Sequence, residues 1–257
     1  MKRTTFKIII LTFIYIGAIY ACTSNGADST KKAELNIAVA ANMQFAMDSL
    51  VQIFEKDHGI NCEVSANSSG MLTAQIEKGA PFDLFVSANL RYPNILKEKG
   101  YADAPVVYAQ GSLILVYRKG KYRDIDDVWK SKSVTRIGIA QDKTAPYGMA
   151  ARDYLKKRGI ESKISKKLVI GESVGQVNQY IQTGAVDAAF TSYSYMAKFP
   201  NAKFLEVDDQ SYDPIHQGAV ILKHGKENHM ESSKAFMDFL LSEKAGRILE
   251  HFGYKVN

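Results

Sequence analysis

Short strand-like runs alternate along this chain with helix-like stretches, and that alternation constrains the fold more than any other feature. Consecutive strands joined by helices lie parallel in a sheet whose faces the helices cover. Residues 35–40 (Leu-Asn-Ile-Ala-Val-Ala) read as a strand. A helix follows with Met47, Leu50, Val51 and Phe54 on one face, spaced i, i+3, i+4, i+7, and Gly59 ends it. The pattern predicts further strands at 62–66, 83–87, 113–117, 136–140, 168–170, 186–191, 203–207 and 218–222. It predicts helices at 71–78, 150–158, 174–182, 233–241 and 244–252. The fold class is therefore α/β with largely parallel sheets.

The first 21 residues stand apart. Met1-Lys2-Arg3 is followed by fourteen uncharged, mostly apolar residues, 8–21, ending Ile19-Tyr20-Ala21 before Cys22. A basic start, a short apolar run and a small residue before the cut are a secretory signal. The run is shorter than the roughly 20 residues of a membrane span. A cysteine directly after the small residue resembles the bacterial lipoprotein signal, in which Cys22 is lipidated and becomes the mature N-terminus. The expected location is outside the inner membrane, facing the periplasm or cell exterior. Residues 22–32 are small, polar and helix-poor, a flexible tether.

Removing the leader leaves 236 of 257 residues, ample for one large or two small domains. The net charge of +6 falls to +3 once Lys2, Arg3 and Lys7 are gone. That suits small anions, but lacks the basic clusters of a nucleic-acid footprint. Cys22 and Cys62 are the only cysteines, so no disulfide framework is available once Cys22 carries lipid. Cys62 reads as a small packed hydrophobe.

Four strand-to-helix junctions carry small or polar residues where a helix begins. They are Ala40-Ala41-Asn42, Ala66-Asn67-Ser68-Ser69-Gly70, Thr144-Ala145-Pro146-Tyr147-Gly148 and Gly171-Glu172-Ser173-Val174-Gly175. A helix start has unpaired N–H groups and the positive end of the helix dipole. Several aimed at one point bind an anion without lysine or arginine. In a parallel sheet such junctions lie at the carboxyl ends of the strands, where ligands bind. Taken singly, each junction is also what an ordinary N-cap looks like.

The first three of these junctions, with the run Gln75-Ile76-Glu77-Lys78-Gly79-Ala80-Pro81-Phe82-Asp83-Leu84-Phe85-Val86-Ser87-Ala88 and the segment Gly184-Ala185-Val186-Asp187-Ala188-Ala189-Phe190, resemble the periplasmic molybdate-binding proteins of ABC importers. The resemblance covers most of residues 33–257. It implies a two-lobed periplasmic-binding-protein fold of type II, with a tetrahedral oxyanion in the interlobe cleft. Lobe 1 would be residues 33–112 plus 218–257, and lobe 2 residues 113–217. The implied donors are neutral: Asn42 and one serine of the pair Ser68 and Ser69 from lobe 1, and the backbone N–H groups of Tyr147 and Val174 from lobe 2. Some relatives add a tyrosine hydroxyl near position 191, where this chain has Ser192 with Tyr193 beside it. The resemblance also implies molybdate or tungstate as ligand, no cofactor, a permease partner in the membrane, a monomeric state and no reaction. Another small anion, sulfate-like or otherwise, is the alternative ligand class.

A competing motif sits at the fourth junction. Gly171-Glu172-Ser173-Val174-Gly175 matches the nucleophile elbow of serine hydrolases, with Asp187, Asp213, His216 and His251 downstream in the required order. No HGGG-like oxyanion loop accompanies it. His216, His224 and His229 lack tight ligand spacing, and His58 and His251 fall at helix ends. All five read as surface or capping histidines rather than direct metal ligands.

Overall fold

The computed structural model describes residues 35–256. The leader, Cys22 and the tether lie outside the described residues. The chain opens with β1 (Leu35–Ala40), a single 3₁₀ turn, α1 (Gln44–His58), β2 (Cys62–Asn67), α2 (Ser69–Glu77) and β3 (Leu84–Ser87). It continues through α3 (Arg91–Glu98), β4 (Val106–Gly111), β5 (Leu113–Tyr117), α4 (Ile125–Lys130), β6 (Ile137–Ala140), α5 (Pro146–Lys157) and α6 (Glu161–Ile164). Then come β7 (Leu168–Gly171), α7 (Val174–Thr183), β8 (Ala188–Ser192), α8 (Ser194–Lys198) and β9 (Lys203–Glu206). The chain closes with β10 (Ile215–Ile221), α9 (Lys223–Asn228), α10 (Met230–Leu240) and α11 (Glu243–His251).

Two five-stranded sheets result, ordered β2-β1-β3-β10-β4 and β7-β6-β8-β5-β9. In the first, β1 pairs parallel with β2 and β3, and β10 runs antiparallel between β3 and β4. In the second, β6 pairs parallel with β7 and β8, and β5 runs antiparallel between β8 and β9. Each sheet thus has one reversed strand, and the two lobes share a plan. The chain passes from the first sheet to the second between Gly111 and Leu113. It returns between Glu206 and Ile215.

The periodicity of α1 becomes packing. Met47, Leu50 and Phe54 are fully buried, and the Phe54 ring meets Phe236 of α10 edge-on at 5.0 Å. Emptying such a position costs about 3–5 kcal/mol. Gly59 closes α1 in the left-handed region at φ 71°, and its N–H donates to Glu55 O. Cys62 packs half-buried against this same core. The core of the second lobe runs on through Ala40, Ala41 and Ala88 of the first, so the lobes meet on an apolar seam.

Several elements escaped the sequence pattern. α4, α8 and α9 are too short for a helical period to register. α3 carries Pro93 in its first turn, where a missing N–H costs little, yet a proline reads from sequence as a breaker. α5 starts at Pro146, four residues before the expected 150, because proline at the first helical position is preset for the turn. Among the described residues no helix is long and apolar enough to cross a membrane.

Candidate functional site

All four strand-to-helix junctions reach one small buried cavity of about 10 Å³. From the first lobe come Ala40, Ala41, Asn42, Ser68, Ser69 and Ala88. From the second come Ala145, Pro146, Tyr147 and Val174. Among the described residues no charged side chain lines it. The helices α2, α5 and α7 begin at Ser69, Pro146 and Val174, so their first-turn N–H groups have no acceptor within their own helix. Positive dipole ends from both lobes therefore face a neutral space.

The lobes touch around it. Gly70 N–H donates to Thr144 O at 2.8 Å, and the Tyr92 hydroxyl donates to Lys143 O at 2.9 Å. A Cβ on Gly70 would stand 2.9 Å from the Thr144 main chain, which explains glycine at this crossing.

The side chains differ in how they are held. Asn42 Nδ2 donates to Gln217 Oε1 and to the Tyr254 hydroxyl, both at 2.9 Å. The Asn42 main-chain oxygen accepts from Tyr254 at 2.9 Å and from Ser194 Oγ at 2.8 Å. Asn42 Oδ1 and Ser68 Oγ are buried with no partner among the described residues. Ser69 Oγ accepts from Ala88 N–H at 3.1 Å, which leaves its own proton free to donate. The Tyr147 hydroxyl, also buried without a hydrogen-bond partner among the described residues, lies against Gly111, at the crossing between the sheets. Burial, with the neighbouring hydroxyls of Tyr254, Tyr212 and Tyr108, pushes it well above the usual tyrosine range, against a smaller downward pull from the Asn42 side chain. It is a neutral phenol at any ordinary pH.

Ser192 is the expected contact that the structure does not bring to the cavity. Its hydroxyl is 2.6 Å from Ser194 Oγ, and since Ser194 donates to Asn42, Ser192 donates to Ser194. It supports the chain behind Asn42. Tyr193 turns its ring against Phe204 and Gly253 instead. A serine two residues ahead of a helix start can face either side, and sequence does not say which.

The hydrolase motif resolves into a helix cap. Ser173 Oγ accepts from Gln176 N–H at 3.3 Å at the start of α7. Asp187 is occupied by the N–H groups of Thr135 and Arg136 and the Thr135 hydroxyl, while Asp213 pairs with Lys157 on the surface. Among the described residues no hydrogen bond joins Ser173 to a histidine.

The model of the bacterial extracellular solute-binding proteins matches residues 35–255. The chain belongs to that family. This solute-binding protein is 35% identical over 236 residues to the molybdate-binding protein ModA of Azotobacter vinelandii, covering 89% of this chain and 92% of that one. It is 32% identical over 223 residues to the molybdate-binding protein ModA of Rhodobacter capsulatus, covering 86% and 88%. Among solved structures, the periplasmic molybdate-binding protein of Azotobacter vinelandii superposes with a TM-score of 0.82 at 28% identity. That match covers 87% of this chain and 99% of the other.

Proposed function

We propose that this solute-binding protein captures molybdate or tungstate outside the inner membrane and hands it to an ABC permease. The observation that carries the proposal is the uncharged cavity on which helix starts from both lobes converge. A dianion there meets N–H and O–H donors rather than fixed cations, as suits a ligand that must be both held and released. The relatives named for molybdate point to the same ligand.

The donors proposed are the hydroxyls of Ser68 and Ser69, the N–H groups of Tyr147 and Val174, and Asn42. Asn42 serves through Nδ2 after a half-turn of its amide, which exchanges its bonds to Gln217 Oε1 and Tyr254 for the anion. Gln217 then turns Nε2 from Ile215 O to the displaced oxygen, and Tyr254 keeps donating to the Asn42 main chain. Each donor to a charged acceptor contributes about 1.5–3 kcal/mol, so five hold a dianion against its desolvation. Sulfate is the smaller anion, and its refusal is set by how far the lobes close around the ligand. The protein acts as a monomer without catalysing a reaction, and lobe closure around the anion presents it to the permease.

A thermal-shift panel of molybdate, tungstate, sulfate and phosphate tests the ligand. At a thousandfold excess over Kd a true ligand adds about 4 kcal/mol. Molybdate and tungstate should raise the melting temperature and sulfate should not; no response to any oxyanion rejects the proposal. The anchor is Cys22, and Cys22→Ser should free the protein from the membrane fraction. If the variant still sediments with membranes, the lipid is elsewhere.

A further inference from the structure

At the far end of β3 from the cavity, a buried carboxylate meets two histidines. Asp83, just ahead of β3, is fully buried. Its Oδ2 accepts from Asn36 N–H at 2.7 Å, which fixes the carboxylate plane. Its Oδ1 is 2.7 Å from Nδ1 of His224 on α9 and 3.0 Å from Nδ1 of His229, the residue between α9 and α10. The two rings stand 5.8 Å apart at 65° to each other, and each side chain is about one-third exposed. The three ligating atoms lie within 4.8 Å of one another.

A buried carboxylate needs a counter-charge. Among the described residues no lysine or arginine reaches Asp83; its Oδ1 meets the two imidazoles instead. Two nitrogens converging on one carboxylate oxygen make a two-histidine, one-carboxylate donor set, which suits zinc and its neighbours among divalent transition metals. Zinc bonds of about 2.1 Å set tetrahedral ligands about 3.4 Å apart. The two Nδ1 atoms stand 2.7 and 3.0 Å from Oδ1, so modest movement of two partly exposed rings admits an ion among the three atoms. Their solvent side leaves the remaining coordination to water. The Asn36 bond to Oδ2 is the kind of supporting contact that orients a metal-bound carboxylate.

We propose that Asp83, His224 and His229 bind one divalent cation of the zinc class through Oδ1 and two Nδ1 atoms. The ion ties the α9–α10 corner to the start of β3. About 16 Å of strand separates it from Ala88 at the cavity, so it is independent of the anion site.

Calorimetry with zinc chloride on the purified, tag-free protein is the test, with cobalt(II) as a spectroscopic probe. The parent should take up one equivalent of zinc and give the intense visible bands of nitrogen–oxygen-bound, low-coordinate cobalt. His224→Ala and His229→Ala should each weaken zinc binding about 100-fold or more, given that losing even an outer-shell partner costs 10–100-fold. Molybdate binding should not change in either variant, which separates this site from the anion reading. Should a variant misfold, the parent's cobalt spectrum and stoichiometry still decide. The proposal is overturned if the parent takes up no zinc or if the double variant binds it equally well. It is also overturned if the variants lose stability while zinc leaves the parent's melting temperature unmoved, since the histidines are then only hydrogen-bond partners of Asp83.

Discussion

The Tyr254 hydroxyl donates to the Asn42 main-chain oxygen and accepts from the Asn42 amide, both at 2.9 Å. Residues 212 positions apart thus share a closed pair of hydrogen bonds. The tail is held for this by an antiparallel bridge between Gln110 and Lys255, beside the passage between the sheets. Burial raises the Tyr254 phenol far above its usual range, helped back only in part by Ser194 and Asn42, so it stays a donor.

Removing that hydroxyl should loosen the first helix start. Tyr254→Phe leaves Asn42 with Gln217 and Ser194 as partners, so the loss is partial. We expect about 1–2 kcal/mol less stability in urea denaturation and weaker molybdate binding by about tenfold, as 1.4 kcal/mol is tenfold in Kd. An unchanged affinity would show that Asn42 keeps its place without Tyr254.

Gly70→Ala tests the meeting of the lobes. The new Cβ presses on the Thr144 main chain, which cannot swing aside like a side-chain tip. Overpacking of this kind costs about 1–3 kcal/mol. Under the closure proposed above, the penalty should fall on the closed state and appear as weaker molybdate binding in calorimetry. A melting temperature that drops while affinity holds would place the strain within one lobe instead.

Asp187 carries a pH dependence. Partial burial pushes its carboxyl up, but the Thr135 and Arg136 N–H groups and the Thr135 hydroxyl outweigh this, and the net shift is downward. A carboxyl held below its unfolded value of about 3.9 adds stability above that pH and loses it as pH falls through the folded value. Asp187→Asn should therefore destabilise by about 1 kcal/mol at pH 6 and by less at pH 3. Melting curves across that range check it; an equal loss at both ends would remove the charge from the argument.

Some of this was legible beforehand. The alternation of strands and helices gave the α/β plan, and Met47, Leu50 and Phe54 announced a buried face that they do bury. The four junctions were visible because caps and glycines have local signatures, and all four reach the cavity. What stayed hidden depends on distant pairings. His224 and His229 meet Asp83 across 141 and 146 residues, so their sequence spacing carries no trace of a ligand set. Ser192 looked like a contact because position along a strand does not reveal which neighbour takes a hydroxyl; Ser194, two residues on, takes it. α3 was lost to the proline in its first turn.

The central claim is that a dianion sits among neutral donors beside Asn42. Isothermal titration of molybdate into the parent, Asn42→Ala and Asn42→Asp measures it most directly. Alanine removes one donor and orphans its buried partners, a cost of about 1–3 kcal/mol. Aspartate sets a negative charge against a dianion, and at an effective dielectric near 20 each unit of like charge at 4 Å costs about 4 kcal/mol. The account predicts that Asn42→Ala binds about 10–100-fold more weakly than the parent and that Asn42→Asp shows no measurable binding at neutral pH. Equal affinity of the two variants would contradict it, leaving Asn42 as a structural node that holds Gln217 and Tyr254 and never meets the anion.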